Sequence, residues 1–138
     1  MTKSNKRVLG AQSTSGNTDE ESSRLTVRMS GIVLEGIKED MEANEYSKKD
    51  RSKWICEAIL EMWEQFSREP DEDKELYLKL TSPFKESMTS FDIYLSEKAL
   101  TPFYKMVEFA ESVGLNKDPK TRVSYMAISM RLIRRGRI

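Results

Sequence analysis

A mainly helical fold carrying a short β-ribbon is the architecture this sequence predicts, and three observations predict it. Residues 24–30, RLTVRMS, alternate strictly, with Leu25, Val27 and Met29 on one face and Arg24, Thr26 and Arg28 on the other. Apolar residues after this stretch recur at helical spacing on both sides of a polar turn. The same strand–helix–helix order then starts again in the second half of the chain.

Residues 1–22 are rich in Ser, Thr, Asn, Gly and Lys and hold almost nothing to bury, so a disordered arm is expected, basic at its start through Lys3, Lys6 and Arg7. Residues 23–67 form the first unit. The strand leads to Ser30, a good helix N-cap, and Leu34, Ile37 and Met41 then mark an amphipathic helix running to about Asn44. NEYSKKD is the turn, and a second helix starts near Asp50, with Ser47 as a rival cap. Its apolar positions, Trp54, Ile55, Ala58, Ile59, Met62, Trp63 and Phe66, make a stripe too wide for one short partner helix, which predicts burial against a second copy of some element.

Residues 68–87 read as a linker broken at Pro70, with ELYLKLTSPF open between a helical turn and an extended segment. Residues 88–138 form the second, divergent unit. SFDIYLS lies on RLTVRMS at an offset of 66, placing Phe91, Ile93 and Leu95 on Leu25, Val27 and Met29, and Ser96 on Ser30. Leu100, Phe103, Val107 and Ala110 mark the next helix, for which Thr101 is the expected cap with Pro102 in the first position. GLNKDPKT is the turn. In the last helix Tyr125, Met126, Ser129, Met130 and Ile133 fall at an offset of 71 from Trp54, Ile55, Ala58, Ile59 and Met62, and Arg122 falls on Arg51. The five extra residues are assigned to the first helix and turn of the second unit.

The chain has no histidine and one cysteine, Cys56, which removes histidine-based triads, the commonest metal ligand and any structural zinc site. Nothing groups carboxylates or lysines into a catalytic cluster, so no enzymatic activity, metal or cofactor is expected. The lone cysteine fits a reducing compartment, and no stretch of about 18 apolar residues predicts a membrane span. A cytoplasmic, nucleoid- or plasmid-associated protein is the expectation. Formal net charge is zero, but the distribution is uneven. Residues 120–138 hold Lys120, Arg122, Arg131, Arg134, Arg135 and Arg137 and no acid, whereas residues 57–75 are strongly acidic. Local patches set the field at a binding surface.

One strand with an apolar face cannot stand alone, and a unit of about 45 residues is too small to bury a core. Antiparallel pairing with a second such strand, closed over by four helices, satisfies both needs and leaves Arg24, Thr26 and Arg28 outward. A two-stranded ribbon fits the major groove of B-DNA, where Arg bonds guanine O6 and N7 and the Thr methyl meets the thymine methyl. The N-terminus of the second helix offers free N–H groups to a phosphate, and Lys48, Lys49, Arg51 and Lys53 surround it.

This order, RLTVRMS followed by DRSKWICEAI, resembles the ribbon-helix-helix family of DNA-binding proteins, of the Arc and MetJ type. The resemblance covers residues 23–67 well and 88–135 more weakly. It implies a dimeric protein with a paired ribbon in the major groove of double-stranded DNA, with Arg24, Thr26 and Arg28 as base readers. It also implies phosphate contacts at Asp50, Arg51 and Ser52. Two features depart from the family pattern. The usual turn glycine is absent from the first unit, where Asn44 is expected to take the left-handed conformation. The outward positions of the second strand are Ser90, Asp92 and Tyr94, poor for phosphate attraction, although an Asp can accept from cytosine N4. Second-unit DNA contacts, if made, fall to Tyr94, Lys120, Thr121 and Arg122.

The two strands can pair within one chain or between two. Pairing between chains is the preferred expectation, because it places two copies of Arg24, Thr26 and Arg28 on one ribbon for a palindromic site and makes the protein a homodimer. The function implied is sequence-specific transcriptional regulation, with RNA polymerase or other DNA-bound proteins as further partners. The alternative is an architectural accessory protein of a conjugative plasmid, at a transfer origin or in a partition complex.

Overall fold

The computed structural model describes residues 22–81 and 88–138; the expected arm, apart from Ser22, and residues 82–87 of the expected linker lie outside the described residues. The elements run β1 (Arg24–Ser30), α1 (Gly31–Ala43), α2 (Arg51–Phe66), α3 (Asp71–Leu80), β2 (Met88–Tyr94), α4 (Glu97–Ser112) and α5 (Pro119–Arg134). Among the described residues the fold is mainly helical with one two-stranded antiparallel sheet. Among the described residues no helix is long and apolar enough to cross a membrane.

The partner of β1 is β2 of the same chain, which corrects the expectation of pairing with a second copy. Arg24 lies opposite Tyr94, Thr26 opposite Asp92 and Arg28 opposite Ser90. The linking segment tethers the second strand near the first, so its effective concentration is on the order of millimolar before any second copy competes. The segment read as a linker is itself partly helical: α3 buries Leu78 completely and packs on α5. The two units are therefore not separate bodies but halves of one core.

The register shows how the halves relate. Ser30 and Ser96, 66 residues apart, both cap the following helix, accepting from Val33 N and Ala99 N respectively. At that offset Thr26 pairs with its own counterpart, Asp92, so a pseudo-two-fold axis passes through this pair. Beyond the first helix of each unit the offset becomes 69, because α4 has 16 residues and α1 has 13. Tyr46 N donates to Met41 O and Leu115 N to Ala110 O, both at 2.9 Å. These are matching turn closures 69 residues apart.

The sequence alignment at 71 was therefore two residues out. It set Ile133, half exposed, on the fully buried Met62. At 69, Trp54, Ile55, Ala58, Ile59 and Met62 fall on Val123, Ser124, Ala127, Ile128 and Arg131, all buried. Matching apolar letters misled because the buried face of α5 carries Ser124 and Arg131. The wide stripe of α2 is covered by α4 and α5 of the same chain. Pro102 lies within α4, not at its start, since Ser96 supplies the cap; the helix gives up one backbone bond there.

Helix α1 closes through a left-handed residue, but it is Glu45 (φ 62°), not Asn44 (φ −108°). Asn44 instead donates its side-chain amide to Asp40 O at 2.9 Å. The counterpart of Glu45 in the second unit is Gly114, at φ 86°. A side chain at positive φ is strained by contact of Cβ with the backbone. Glu45→Gly should therefore stabilise the protein, by up to about 1 kcal/mol, and Gly114→Ala, with open space around the added Cβ, should destabilise it by roughly 1 kcal/mol through backbone strain alone. Urea unfolding of both variants measures this. Because the sheet closes within one chain, the melting temperature should stay constant over a roughly hundredfold range of protein concentration, as followed by circular dichroism.

Candidate nucleic-acid interface

The floor of the ribbon is apolar and the roof polar, as the alternation requires. Leu25, Val27, Met29 and Ile93 are buried. Arg24, Thr26 and Tyr94 are exposed, and Arg28, Ser90 and Asp92 complete the outer face. The three expected base readers thus lie on one surface. None of them is idle there. Arg24 Nη2 donates to Asp92 Oδ2 at 2.8 Å, Thr26 Oγ1 donates to Asp92 Oδ1 at 2.7 Å, and Arg28 Nη2 donates to Asp118 Oδ2 at 3.0 Å. Hydrogen bonds from Arg24 and then Thr26 hold the Asp92 carboxyl below the usual carboxylate range, so it is ionised at neutral pH. The Arg24 guanidinium also lies 5.9 Å from the Tyr94 ring.

Each strand is fastened to the second helix of the other unit. Tyr94 N donates to Ser52 Oγ at 3.0 Å, and Arg28 N donates to Thr121 Oγ1 at 3.3 Å. Ser52 and Thr121 are counterparts at the offset of 69, so the two ties are a symmetric pair. Their effect is to set the N-termini of α2 and α5 on either side of the ribbon.

Those two termini differ. At α2 the N-cap residue Asp50 makes no side-chain cap bond, which leaves its first-turn N–H groups without a side-chain acceptor from the cap. Lys48, Lys49, Arg51 and Ser52 line one recess of about 740 Å³ together with Asp92 and Tyr94 of the ribbon and Leu34, Met41 and Tyr46 beneath. Arg51 stacks over Phe91 of β2, 4.3 Å from the ring centroid, and Lys53 lies 5.9 Å from the Tyr46 ring. Of the expected phosphate contacts of the first unit, Lys48, Lys49, Arg51 and Ser52 line the recess beside the ribbon, and Asp50 and Lys53 do not. Of these, Ser52 is partly engaged by Tyr94 N.

At α5 the N-terminus is closed. Asp118, left-handed at φ 46°, accepts from Thr121 N at 3.4 Å and receives Arg28. Two of the expected second-unit contacts are withdrawn from the surface. Thr121 is fully buried, accepting from Arg28 N, and Arg122 is buried with its Nη1 donating to Leu78 O at 3.1 Å. Burial lowers the Arg122 pKa from its ordinary value. Lys120 lies 5.6 Å from the Tyr104 ring, and Tyr94 is exposed on the ribbon. Sequence spacing placed Arg122 on Arg51, and the two-residue error in that alignment explains why a surface role was expected of it.

Arg131, Arg134, Arg135 and Arg137 of the basic C-terminus are engaged by acids of the same chain, with Arg131 alone among them buried. Arg131 is buried against Trp54, 4.8 Å from its ring, donates to Trp54 O at 2.8 Å, and pairs with Glu57 and Glu61. Arg134 pairs with Glu61 at 3.0 Å. Asp40 of α1, only 1% exposed, receives Trp54 Nε1 at 2.9 Å, Arg135 Nη1 at 2.7 Å and Arg137 Nε at 3.1 Å. Burial opposes ionisation of Asp40 most strongly, yet the hydrogen bonds from Trp54, Arg137 and Arg135 outweigh it and hold the carboxyl below its ordinary value. Sequence reading missed this acid. Its one signal was position, three residues after Ile37 on the apolar stripe of α1.

A carboxyl with a depressed folded pKa stabilises fully above its unfolded value, near 3.9, and that stabilisation disappears as pH falls through the folded value. In urea unfolding, wild type should lose stability relative to Asp40→Asn as pH drops below about 4. At neutral pH Asp40→Ala should cost about 2–3 kcal/mol, less than a wholly buried pair because both arginines keep about a third of their side chains in water.

No protein-family model, curated protein or solved structure matches this chain.

Proposed function

We propose that this protein is a sequence-specific double-stranded DNA-binding regulator of the ribbon-helix-helix kind, with both units of the reader supplied by one chain. One observation carries the proposal: a two-stranded antiparallel ribbon presents Arg24, Thr26 and Arg28 outward beside the open, lysine-rimmed N-terminus of α2. A ribbon of this width enters the major groove, where side chains of alternate residues meet base edges. Lys48, Lys49, Arg51 and Lys53 then lie where the flanking phosphate backbone runs, and their attraction is sequence-independent. The internal pairing of the α5 arginines and the acid at the α5 N-terminus favour a lopsided grip, strong on the first unit and weak on the second. Transcriptional control follows from occupying a promoter.

The proposal is tested by selecting bound duplexes from a randomised pool and measuring affinity by fluorescence anisotropy at several salt concentrations. Arg24→Ala and Arg28→Ala should each cost about 1–3 kcal/mol on the selected site and relax one base position. Lys53→Ala should weaken all duplexes alike and lower the salt slope by about 0.9. Unchanged binding by both arginine variants would refute the ribbon as the reader.

A further inference from the structure

Asp92 stands at the centre of the ribbon, on the pseudo-two-fold axis, opposite Thr26. Its side chain is 32% exposed and that of Arg24 65%, so their ion pair sits on the outer face, not in the core. An acid in the middle of a DNA-facing surface repels phosphate and weakens unselective binding. Its presence calls for a chemical reason, and the bonding pattern supplies one. Arg24 uses Nη2 on Asp92, and a guanidinium has five N–H donors in a fixed fork. Asp92 accepts one bond at each oxygen, from Arg24 and Thr26, and a carboxylate accepts about four. The pair therefore offers donors and an acceptor side by side, held together at 2.8 Å.

In the major groove a G·C pair shows two acceptors on guanine, N7 and O6, next to one donor, the cytosine N4 amino group. An A·T pair shows acceptor, donor and acceptor, then the thymine methyl. Two donors of the fork beside a carboxylate match the first pattern in full, whereas the second offers them one acceptor, adenine N7, before its donor. We infer that Arg24 and Asp92 act as one composite reader of a single G·C base pair, Arg24 donating to guanine while Asp92 accepts from cytosine N4, and that the preferred site is consequently non-palindromic. The inference rests on the reading of the ribbon as a duplex-binding surface.

The asymmetry follows from the register. At the offset of 66 the counterparts of Arg24, Thr26 and Arg28 are Ser90, Asp92 and Tyr94. A palindrome would bring equivalent bases to the two strands, but no arginine of β1 has an arginine counterpart on β2. One end of the ribbon carries Arg24 beside Tyr94, and the other carries Arg28 beside Ser90. Asp92 is thus a specificity-determining residue, and its contribution is discrimination and not attraction.

The test uses the full chain and the site selected from a randomised pool. Replacing the selected cytosine with 2-pyrimidinone, which lacks the N4 amino group, should weaken wild-type binding about tenfold, the loss of one hydrogen bond to a charged acceptor. The same analogue should leave Asp92→Ala unaffected. Replacing the partner guanine with 7-deazaguanine should weaken wild type and leave Arg24→Ala unaffected. Asp92→Ala should also bind random duplexes more tightly than wild type, with loss of the cytosine preference in its own selected site. The probes act on unmodified protein, so they report even if a variant folds poorly. The inference is overturned if wild type selects a palindrome, if 2-pyrimidinone is tolerated, or if the positions relaxed by Arg24→Ala and Asp92→Ala lie in different base pairs. Wild type that selects no duplex at all overturns the DNA-binding reading along with it, whereas selective binding without these analogue effects overturns only the composite reader.

Discussion

The pairing of β1 with β2 is the constraint on which the rest of the structure depends. A seven-residue strand with one apolar face needs a partner for its edge and a cover for its face. Pairing brings Leu25, Val27 and Met29 together with Ile93 into one floor, and the helices close beneath it. The strand register then decides everything on the outer surface. It sets Thr26 opposite Asp92, and it fits the second helix of each unit, α2 and α5, so that Ser52 and Thr121 each satisfy a backbone N–H of the other unit's strand. A one-residue slip would bury the arginines and expose the floor. The apolar alternation on both strands excludes that alternative.

Around this ribbon the two units use their charges differently. The first keeps cations on its outer strand and an uncapped α2 N-terminus with lysines around it. The second has turned its charges inward. Asp118 closes α5 and holds Arg28, and Arg122 and Arg131 reach across to carbonyls of α3 and α2. Arg135 and Arg137 secure the chain end to Asp40. The polar residues of the second unit tie its helices to the rest of the fold. The zero net charge of the chain is the sum of these pairs, of the basic residues beside the ribbon and of the acids concentrated in residues 57–75.

Much of this architecture was legible because periodicity is a local property. The alternation of RLTVRMS, the Ser30 cap and the apolar stripes of the helices each follow from residues close in sequence. The echo in SFDIYLS was legible for the same reason, and its offset of 66 already set Asp92 on Thr26. Other features were not. Helix α3 was hidden in a charged segment with a single fully buried side chain, Leu78. The shift from 66 to 69 was hidden because apolar letters in α5 do not mark its buried face, where Arg131 takes the place of Met62. Glu45 rather than Asn44 holds the left-handed turn. Propensity favours Asn there, but the length of α1 settles which residue reaches the turn.

The sequence by itself determined the element types, the inward and outward faces of the first strand, and the existence of a second, weaker copy of the unit. These depend on side-chain pattern and backbone preference, which act over a few residues. Only the tertiary structure decided which strand β1 meets, and therefore that Arg24 and Thr26 share one carboxylate, that Arg28 is held by Asp118, and that the C-terminal arginines serve the core. Those outcomes depend on groups 66 to 97 residues apart in the chain. No local pattern encodes such a meeting, because it follows from register, helix length and the closure of one shared core.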